Sequence, residues 1–402
     1  MKFGIVSRVL PPSHSGQAIA LYNLLKEIDG KKYCLISSYD YNNTDNAYDS
    51  CTNRLNSNYY HIPRVPIPRL SKILYYAGRK DHKTIINLFL KYRAFQIEGL
   101  LKKECCTIVI GCTVSIYDIY ATYLASKKMG IPFFLYAFDD YFHQWLDPVL
   151  HKFAEEYGPS MLDGAKGIFV PNEFLKDYYY KHYQKQAIVI HNPVDLSAYE
   201  NTCSSNPLKD EIGIKILYTG DIYEAHYDAF IDIIKAIKLI NNPNIKLHIY
   251  TARSPTLLIS KGIVGPVIYH NEVPLTKVPC IHKSADILYL PLAFSSEFAP
   301  EIVKTSSPGK MGEYLAAGKP ILVHAPADSF ISWYHKEKRC GLVIDTQDTE
   351  TLAKGITRII TDNTFRTELC ENARKQALSD FSIEHAKTLF LNSLSECKEK
   401  TA

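Results

Sequence analysis

The chain of 402 residues holds ten cysteines but no Cys-x-x-Cys pair: Cys105 and Cys106 adjoin, Cys112 follows, and the other seven are scattered. That spacing argues against zinc-ribbon and thioredoxin chemistry. Many unpatterned thiols in a chain of this length fit a reducing compartment. No apolar run approaches the roughly 20 residues needed to span a bilayer, and Met1-Lys-Phe-Gly-Ile-Val-Ser7 reads as a strand rather than an export signal. The expectation is a cytoplasmic protein whose membrane contact, if it has any, is peripheral. Repeats of solenoid length and low-complexity tracts are also missing. The net charge of +4 and pI near 8.3 are too mild to mark a nucleic-acid binder.

Acidic residues are scarce in one place. Between His61 and Lys103 stand ten Lys or Arg (Arg64, Arg69, Lys72, Arg79, Lys80, Lys83, Lys91, Arg93, Lys102 and Lys103) against Asp81 and Glu98. Leu70, Ile73, Leu74, Tyr75, Tyr76, Ile85, Ile86, Leu88 and Phe89 interleave with them. The pattern suits either an anionic membrane surface or a pair of surface helices with a solvated basic face.

Hydrophobic residues at 46% and charged residues at 22% supply ample core, and the length suggests two domains. Short β-type runs alternate with helical-period segments through both halves, as in parallel α/β folds. Strands are expected over 2–7, 33–37, 59–62, 107–111, 132–137, 167–170 and 187–190, with helices over 16–28, 84–103, 115–128 and 173–183. A polar stretch over 196–213 reads as a linker. The alternation then restarts with strands over 215–220, 245–251, 267–270, 287–290, 321–324 and 341–344 and a helix over 227–240. The tail over 349–396 is helical by period, with Ser382 capping the last helix. The expected architecture is two Rossmann-like, doubly wound α/β domains, 1–195 and 214–380, with 381–402 packing back on the first. Ligands of such folds bind at the carboxyl ends of the strands.

One segment carries most of the chemistry: Lys304-Thr-Ser-Ser-Pro-Gly-Lys-Met-Gly-Glu313-Tyr-Leu-Ala-Ala-Gly-Lys-Pro320. A Ser/Gly loop leads into a helix whose first-turn N–H groups and positive dipole end suit a diphosphate. Lys310 rides that helix start, and Glu313, one turn in, can accept hydrogen bonds from a ribose diol. Read without context, the same residues also make an ordinary loop, helix and strand, with Pro308 opening the helix and Gly318 closing it.

The wider order of motifs resembles the two-Rossmann-domain (GT-B) glycosyltransferases, most closely the retaining family 4 (group 1) enzymes. The matching pieces are Val9-Leu-Pro-Pro-Ser-His-Ser-Gly16, Gly164-Ala-Lys-Gly-Ile-Phe-Val-Pro-Asn-Glu173, Val189-Ile-His-Asn-Pro-Val-Asp195, Ile216-Leu-Tyr-Thr-Gly220, Ser284-Ala-Asp-Ile-Leu-Tyr-Leu-Pro291 and 308–320. The resemblance implies that Gly16 lets a helix N-terminus approach the donor phosphate, and that Glu313 holds the nucleotide ribose. It further implies donor contacts from Gly220, Ser306, Ser307 and Gly309, and a metal-independent reaction without a cofactor, the nucleotide diphosphosugar being a co-substrate.

Three departures stand out. The first glutamate of the family's pair falls at Thr305, so its sugar contact is lost or passes to Thr305 and the Ser306 and Ser307 backbone; Glu297 and Glu301 are out of register. The Arg and Lys that follow the first strand of the second domain in many relatives are missing from Gly220-Asp-Ile-Tyr-Glu-Ala-His226, leaving Lys304, Arg253 and above all Lys310 as substitutes. Where relatives carry His-Asp, this chain has Asp139 and Asp140, which can bind sugar hydroxyls, take a proton from an acceptor hydroxyl, or merely cap a turn.

The expected activity is a hexosyltransferase-type glycosyltransferase that moves a sugar from a UDP-sugar to an acceptor hydroxyl with retention. Lys310, Asp139 and Asp140 are the candidate catalytic residues. The expected acceptor is a surface glycan or a lipid-linked glycan, reached at the inner membrane face through 61–103. A nucleic-acid acceptor, a UDP-sugar epimerase, and a nucleotide-sugar-binding subunit without turnover are the alternatives.

Overall fold

A computed structural model describes residues 1–42, 53–63, 82–200, 208 and 211–399. The chain divides into two compact units: Met1–Ile190 joined by the chain from Ala386 onward, and His191–His385.

The first unit runs β1 (Phe3–Val6), α1 (Gly16–Leu25), β2 (Tyr33–Ser37), β3 (Asn58–His61), α2 (His82–Lys103), β4 (Ile108–Cys112), α3 (Ile116–Met129), β5 (Phe133–Tyr136), α4 (Pro148–Gly164), β6 (Gly167–Val170), α5 (Glu173–Tyr183) and β7 (Ile188–Val189). Its strands pair in parallel in the order β3-β2-β1-β4-β5-β6-β7. Successive side chains point to opposite faces, and both faces are apolar, as a parallel sheet between helices requires. Phe3, Ile5, Ile110 and Phe134 enter one core with Leu21 and Leu24 of α1. Val6, Val109, Phe133 and Leu135 enter the other with Leu90 and Ile97 of α2 and Ile119 of α3.

The second unit runs α6 (Ser197–Glu200), β8 (Ile214–Thr219), α7 (Tyr227–Ile240), β9 (Ile245–Thr251), α8 (Pro255–Ser260), β10 (Val267–Asn271), α9 (Val278–Ser284), β11 (Ile287–Pro291), α10 (Pro300–Thr305), α11 (Lys310–Ala317), β12 (Ile321–His324), α12 (Phe330–Glu337), β13 (Leu342–Ile344), α13 (Thr349–Thr361) and α14 (Asn363–Asp380). The sheet is parallel, ordered β10-β9-β8-β11-β12-β13. The last helix, α15 (Ile383–Glu399), starts in this unit, where Ser382 Oγ accepts the His385 N–H at 3.3 Å. Beyond Ala386 it belongs to the first unit, placing Ala386, Phe390 and Leu394 in the core around Phe3.

Both sheets reverse their winding at one strand, β1 in the first and β8 in the second. The loops that leave these strands, ending at Gly16 and at His226, therefore lie at the switch points where open α/β sheets take their ligands.

Every strand read from the sequence is present, with ends moved by a few residues. The helix expected over 16–28 stops at Leu25, where the Lys26 N–H still bonds back to the Tyr22 carbonyl. Helix α4 was hidden by Gly158 and Pro159 in its interior, residues that weaken a helix. Gly158 is accommodated because it lies against the Tyr141 and Phe142 rings, where a Cβ would come within 2.6–2.8 Å.

The start of the expected linker is structured, since Tyr199 of α6 is buried. Residues 201–207, 209 and 210 lie outside the described residues. So do Arg64, Arg69, Lys72, Arg79 and Lys80 of the basic stretch, along with Leu70, Ile73, Leu74, Tyr75 and Tyr76. Within α2 the basic set thins further. Arg93 is buried, bonded to Asp118 at 2.7 Å and to the Ile62 and Pro63 carbonyls, so it belongs to the core and not to a basic face. No helix among the described residues is long and apolar enough to cross a membrane.

Candidate functional site

In the second unit the end of β8 and the start of α11 converge. Gly220 has φ +118°, a left-handed conformation that L side chains rarely adopt, and a Cβ there would stand 3.2 Å from Lys310 Cε. The glycine thus serves both the turn and the lysine's approach. Lys310 Nζ sits 4.8 Å from the centre of the Tyr218 ring, within cation–π range. Burial lowers the Lys310 pKa to about 8. One turn on, burial raises Glu313 to about 7, partly opposed by the Lys310 charge. Among the described residues, neither side chain makes a hydrogen bond or an ion pair.

The other expected cations are already paired. Arg253 grips Asp221 with both ends of its guanidinium, Nε at 2.5 Å and Nη2 at 2.8 Å. Lys304 binds Asp328 at 2.8 Å on an exposed surface. Of the three substitutes for the missing basic pair, Lys310 alone keeps its charge uncommitted. Thr305 is buried and its hydroxyl donates to the Glu301 carbonyl at 2.7 Å, so the hydroxyl proton stays within its own helix.

The loop over 306–309 leads into α11 at Gly309, which supplies no side-chain cap. Met311 N–H closes on the Pro308 carbonyl at 2.9 Å. Three buried polar atoms nearby have no hydrogen-bond partner among the described residues: Ser307 Oγ, Asn192 Oδ1 and His226 Nδ1. Asn192 Nδ2 meanwhile donates to the Ser307 carbonyl at 3.0 Å, tying the two orphans together. Native folds rarely leave such atoms unpaired, because each forfeits its hydration.

Beneath this surface lies a satisfied network. Tyr314 Oη accepts the Thr219 N–H at 3.1 Å, Thr219 Oγ1 meets His282 Nε2 at 2.8 Å, and His282 Nδ1 meets Tyr199 Oη at 3.0 Å. Burial, with a smaller contribution from the Lys310 charge, holds His282 neutral at a pKa of about 3. Asn192, Tyr199, His226 and His282 had no role in the sequence reading. Asn192 and His226 stood inside quoted motifs, but only a fold shows that their polar atoms are buried.

The first unit offers a different picture at the ends of its strands. Asp140 is fully buried, and its Oδ1 accepts the Phe142 N–H at 3.0 Å, the His143 N–H at 2.8 Å and His143 Nδ1 at 2.7 Å. It holds the turn after β5, while Asp139 beside it stays at the surface. The protein crowded around Asp139, and then the Asp140 charge, push its carboxyl up to about 6. After β1, Ser15 Oγ accepts the Ala18 N–H at 3.2 Å and caps α1. Gly16 begins that helix at the surface with nothing within 4 Å of where a Cβ would stand, so neither packing nor backbone angle requires glycine there. Among the described residues no group of three or more His, Cys, Asp or Glu could hold a metal ion.

Two parallel, doubly wound units define the GT-B class of fold. Residues 213–362, most of the second unit, match the family described as Glycosyl transferases group 1, so this unit carries a glycosyltransferase domain of that group. Solved structures share the fold along the whole chain. A glycosyltransferase from Rickettsia africae ESF-5 is 15% identical with a TM-score of 0.67, covering 98% of each chain. Anabaena HepE in complex with UDP-glucose is 13% identical with a TM-score of 0.65, covering 98% of this chain and 100% of that one. Sucrose-phosphate synthase from Thermosynechococcus elongatus is 12% identical with a TM-score of 0.67, covering both chains fully. No curated protein sequence matches the chain.

Proposed function

We propose that the protein transfers a sugar from a nucleotide diphosphosugar, specifically a UDP-sugar, to an acceptor hydroxyl, with retention at the anomeric carbon. The observation that carries this reading is the pairing of Lys310 and Glu313. Neither makes a hydrogen bond or an ion pair among the described residues, and they stand one turn apart at the uncapped start of α11, beside Gly220. Lys310 and the first-turn amides suit the departing diphosphate, and Glu313 suits the ribose diol. UDP-glucose bound to a similarly folded Anabaena protein supports uracil as the base. With the leaving phosphate assisting same-face attack, no protein nucleophile is needed. Asp139, its carboxyl held above the ordinary range beside Asp140, suits acceptance of the proton from the acceptor hydroxyl.

The proposed acceptor is a surface glycan on a lipid carrier, approached from the membrane. Helix α2 supports this with a stripe of exposed apolar residues, Ile85, Leu88, Tyr92 and Phe95, flanked by Lys83, Lys91, Lys102 and Lys103. Flotation with liposomes tests it, since stronger recovery with anionic lipid is expected and equal recovery with neutral lipid removes the idea. A second reading, a nucleotide-sugar-binding subunit without turnover, is favoured by Thr305 in place of a carboxylate and by the Arg253–Asp221 pair.

Donor hydrolysis across UDP-, GDP- and ADP-sugars tests the main reading, with turnover expected for a UDP-sugar. Thermal stabilisation by a UDP-sugar without hydrolysis or transfer, in the presence of lipid-linked acceptors, supports the binding subunit instead.

A further inference from the structure

His226 closes the loop that leaves β8. Its backbone is fixed at both ends, with its N–H donating to the Tyr223 carbonyl at 2.8 Å and its carbonyl accepting the Phe230 N–H at 3.1 Å as α7 begins. The ring is 4% exposed and lies edge-to-face against Tyr223 at 4.7 Å and Tyr218 at 6.0 Å. It does not cap α7, and its Nδ1 is buried with no hydrogen-bond partner among the described residues.

The groups that face it from each packed element are Tyr218 of β8, Tyr223 of its own loop, and Lys310 of α11, whose ammonium packs on the same Tyr218 ring. Asp221, the acid in this loop nearest to β8, is held by Arg253. Two groups able to carry positive charge therefore share one tyrosine, with no carboxylate bonded to either of them among the described residues. That arrangement suits an anion.

We propose that His226 completes the diphosphate site beside Lys310 and takes up one proton from solvent as the nucleotide binds. This rests on the nucleotide-sugar reading above. In the free protein, burial and then the Lys310 charge keep the imidazole neutral, well below its usual range. A bound diphosphate reverses the local field and favours the imidazolium, whose two N–H groups are both donors. No covalent bond forms or breaks. The chain thus meets the missing Arg/Lys pair with a lysine that is already mostly charged at pH 7 and a second cation that appears on binding.

Calorimetry of UDP binding at pH 7 in buffers of different ionisation enthalpy counts the protons taken up. Lys310 and Glu313 contribute to that count in every variant, so the decisive quantity is the difference between wild type and His226→Gln. Wild type is expected to take up close to one more proton, and its affinity to rise more steeply as pH falls, by up to about tenfold per pH unit more than the variant. His226→Lys is expected to bind without that extra uptake. Imidazole 15N shifts of wild-type His226 on addition of UDP give the same answer without any substitution. Equal uptake in wild type and His226→Gln, or unchanged shifts in a UDP-bound wild type, overturns the proposal while leaving the donor site intact. Failure of wild type to bind UDP, GDP or ADP instead overturns the nucleotide-sugar reading and this inference with it.

Discussion

Asp140, after β5 in the first unit, and Glu313, at the start of α11 in the second unit, are both motif carboxylates in the sequence, yet they differ completely in their bonding. Asp140 is buried; its Oδ1 accepts three hydrogen bonds from its own turn, while its Oδ2 has no partner among the described residues. Glu313 is half-buried and accepts none from the described residues, and Ser307, Asn192 and His226 around it also keep unpaired polar atoms. The difference is that one oxygen of Asp140 ties down its own turn, whereas Glu313 ties down nothing among the described residues. Motif membership alone does not make that distinction.

Substitutions can break or sharpen the contrast. Glu313→Ala is expected to weaken UDP binding by about 1.5–3 kcal/mol, on the order of 10–150-fold in Kd, without loss of Tm. Calorimetry and a thermal melt together check this, and unchanged affinity removes Glu313 from the site. Asp140→Ala should do the reverse, costing roughly 1–3 kcal/mol of stability in denaturant unfolding, whereas Asp139→Asn should leave stability at pH 7 unchanged or raised, since its carboxyl is pushed up to about 6. If both behave alike, Asp140 is not the cap described here.

Lys310→Gln is expected to raise the Kd for UDP on the order of tenfold, while Lys304→Gln, whose pair with Asp328 is exposed, should leave it within about twofold. A larger effect at Lys304 would shift the phosphate site away from α11. A further expected effect concerns pH. Glu313 has a folded pKa near 7, raised from 4.5 by burial, so between those values the native state holds a proton that the unfolded chain has lost. Its contribution to stability is therefore present below about pH 4.5 and lost as pH rises towards 7. Glu313→Gln should flatten that decline, read as a Tm gain at pH 8 that vanishes at pH 4.

The alternating strands and helices were legible because a parallel sheet demands continuous apolar runs, and those runs survive as a local pattern. Helix α4 was not legible, since Gly158 and Pro159 signal a break, and only the packed Tyr141 and Phe142 rings show why a glycine stands inside it. The division into units also differs in detail from the expected boundary at residue 195, falling instead after Ile190, with Tyr199 drawn into the second unit.

At the site, Lys310 and Glu313 could be named from their spacing, because residues three apart on a helix share a face whatever surrounds them. Arg253 and Lys304 could not be told from Lys310 in this way, because the acids that neutralise them, Asp221 and Asp328, are 32 and 24 positions away along the chain. Local order alone was enough to settle the alternation and the helix that carries Lys310 and Glu313. Which polar groups are satisfied and which are left open, at Asp140, Ser307, Asn192 and His226, was decided by long-range packing, since hydrogen-bond partners and burial exist only once distant segments meet.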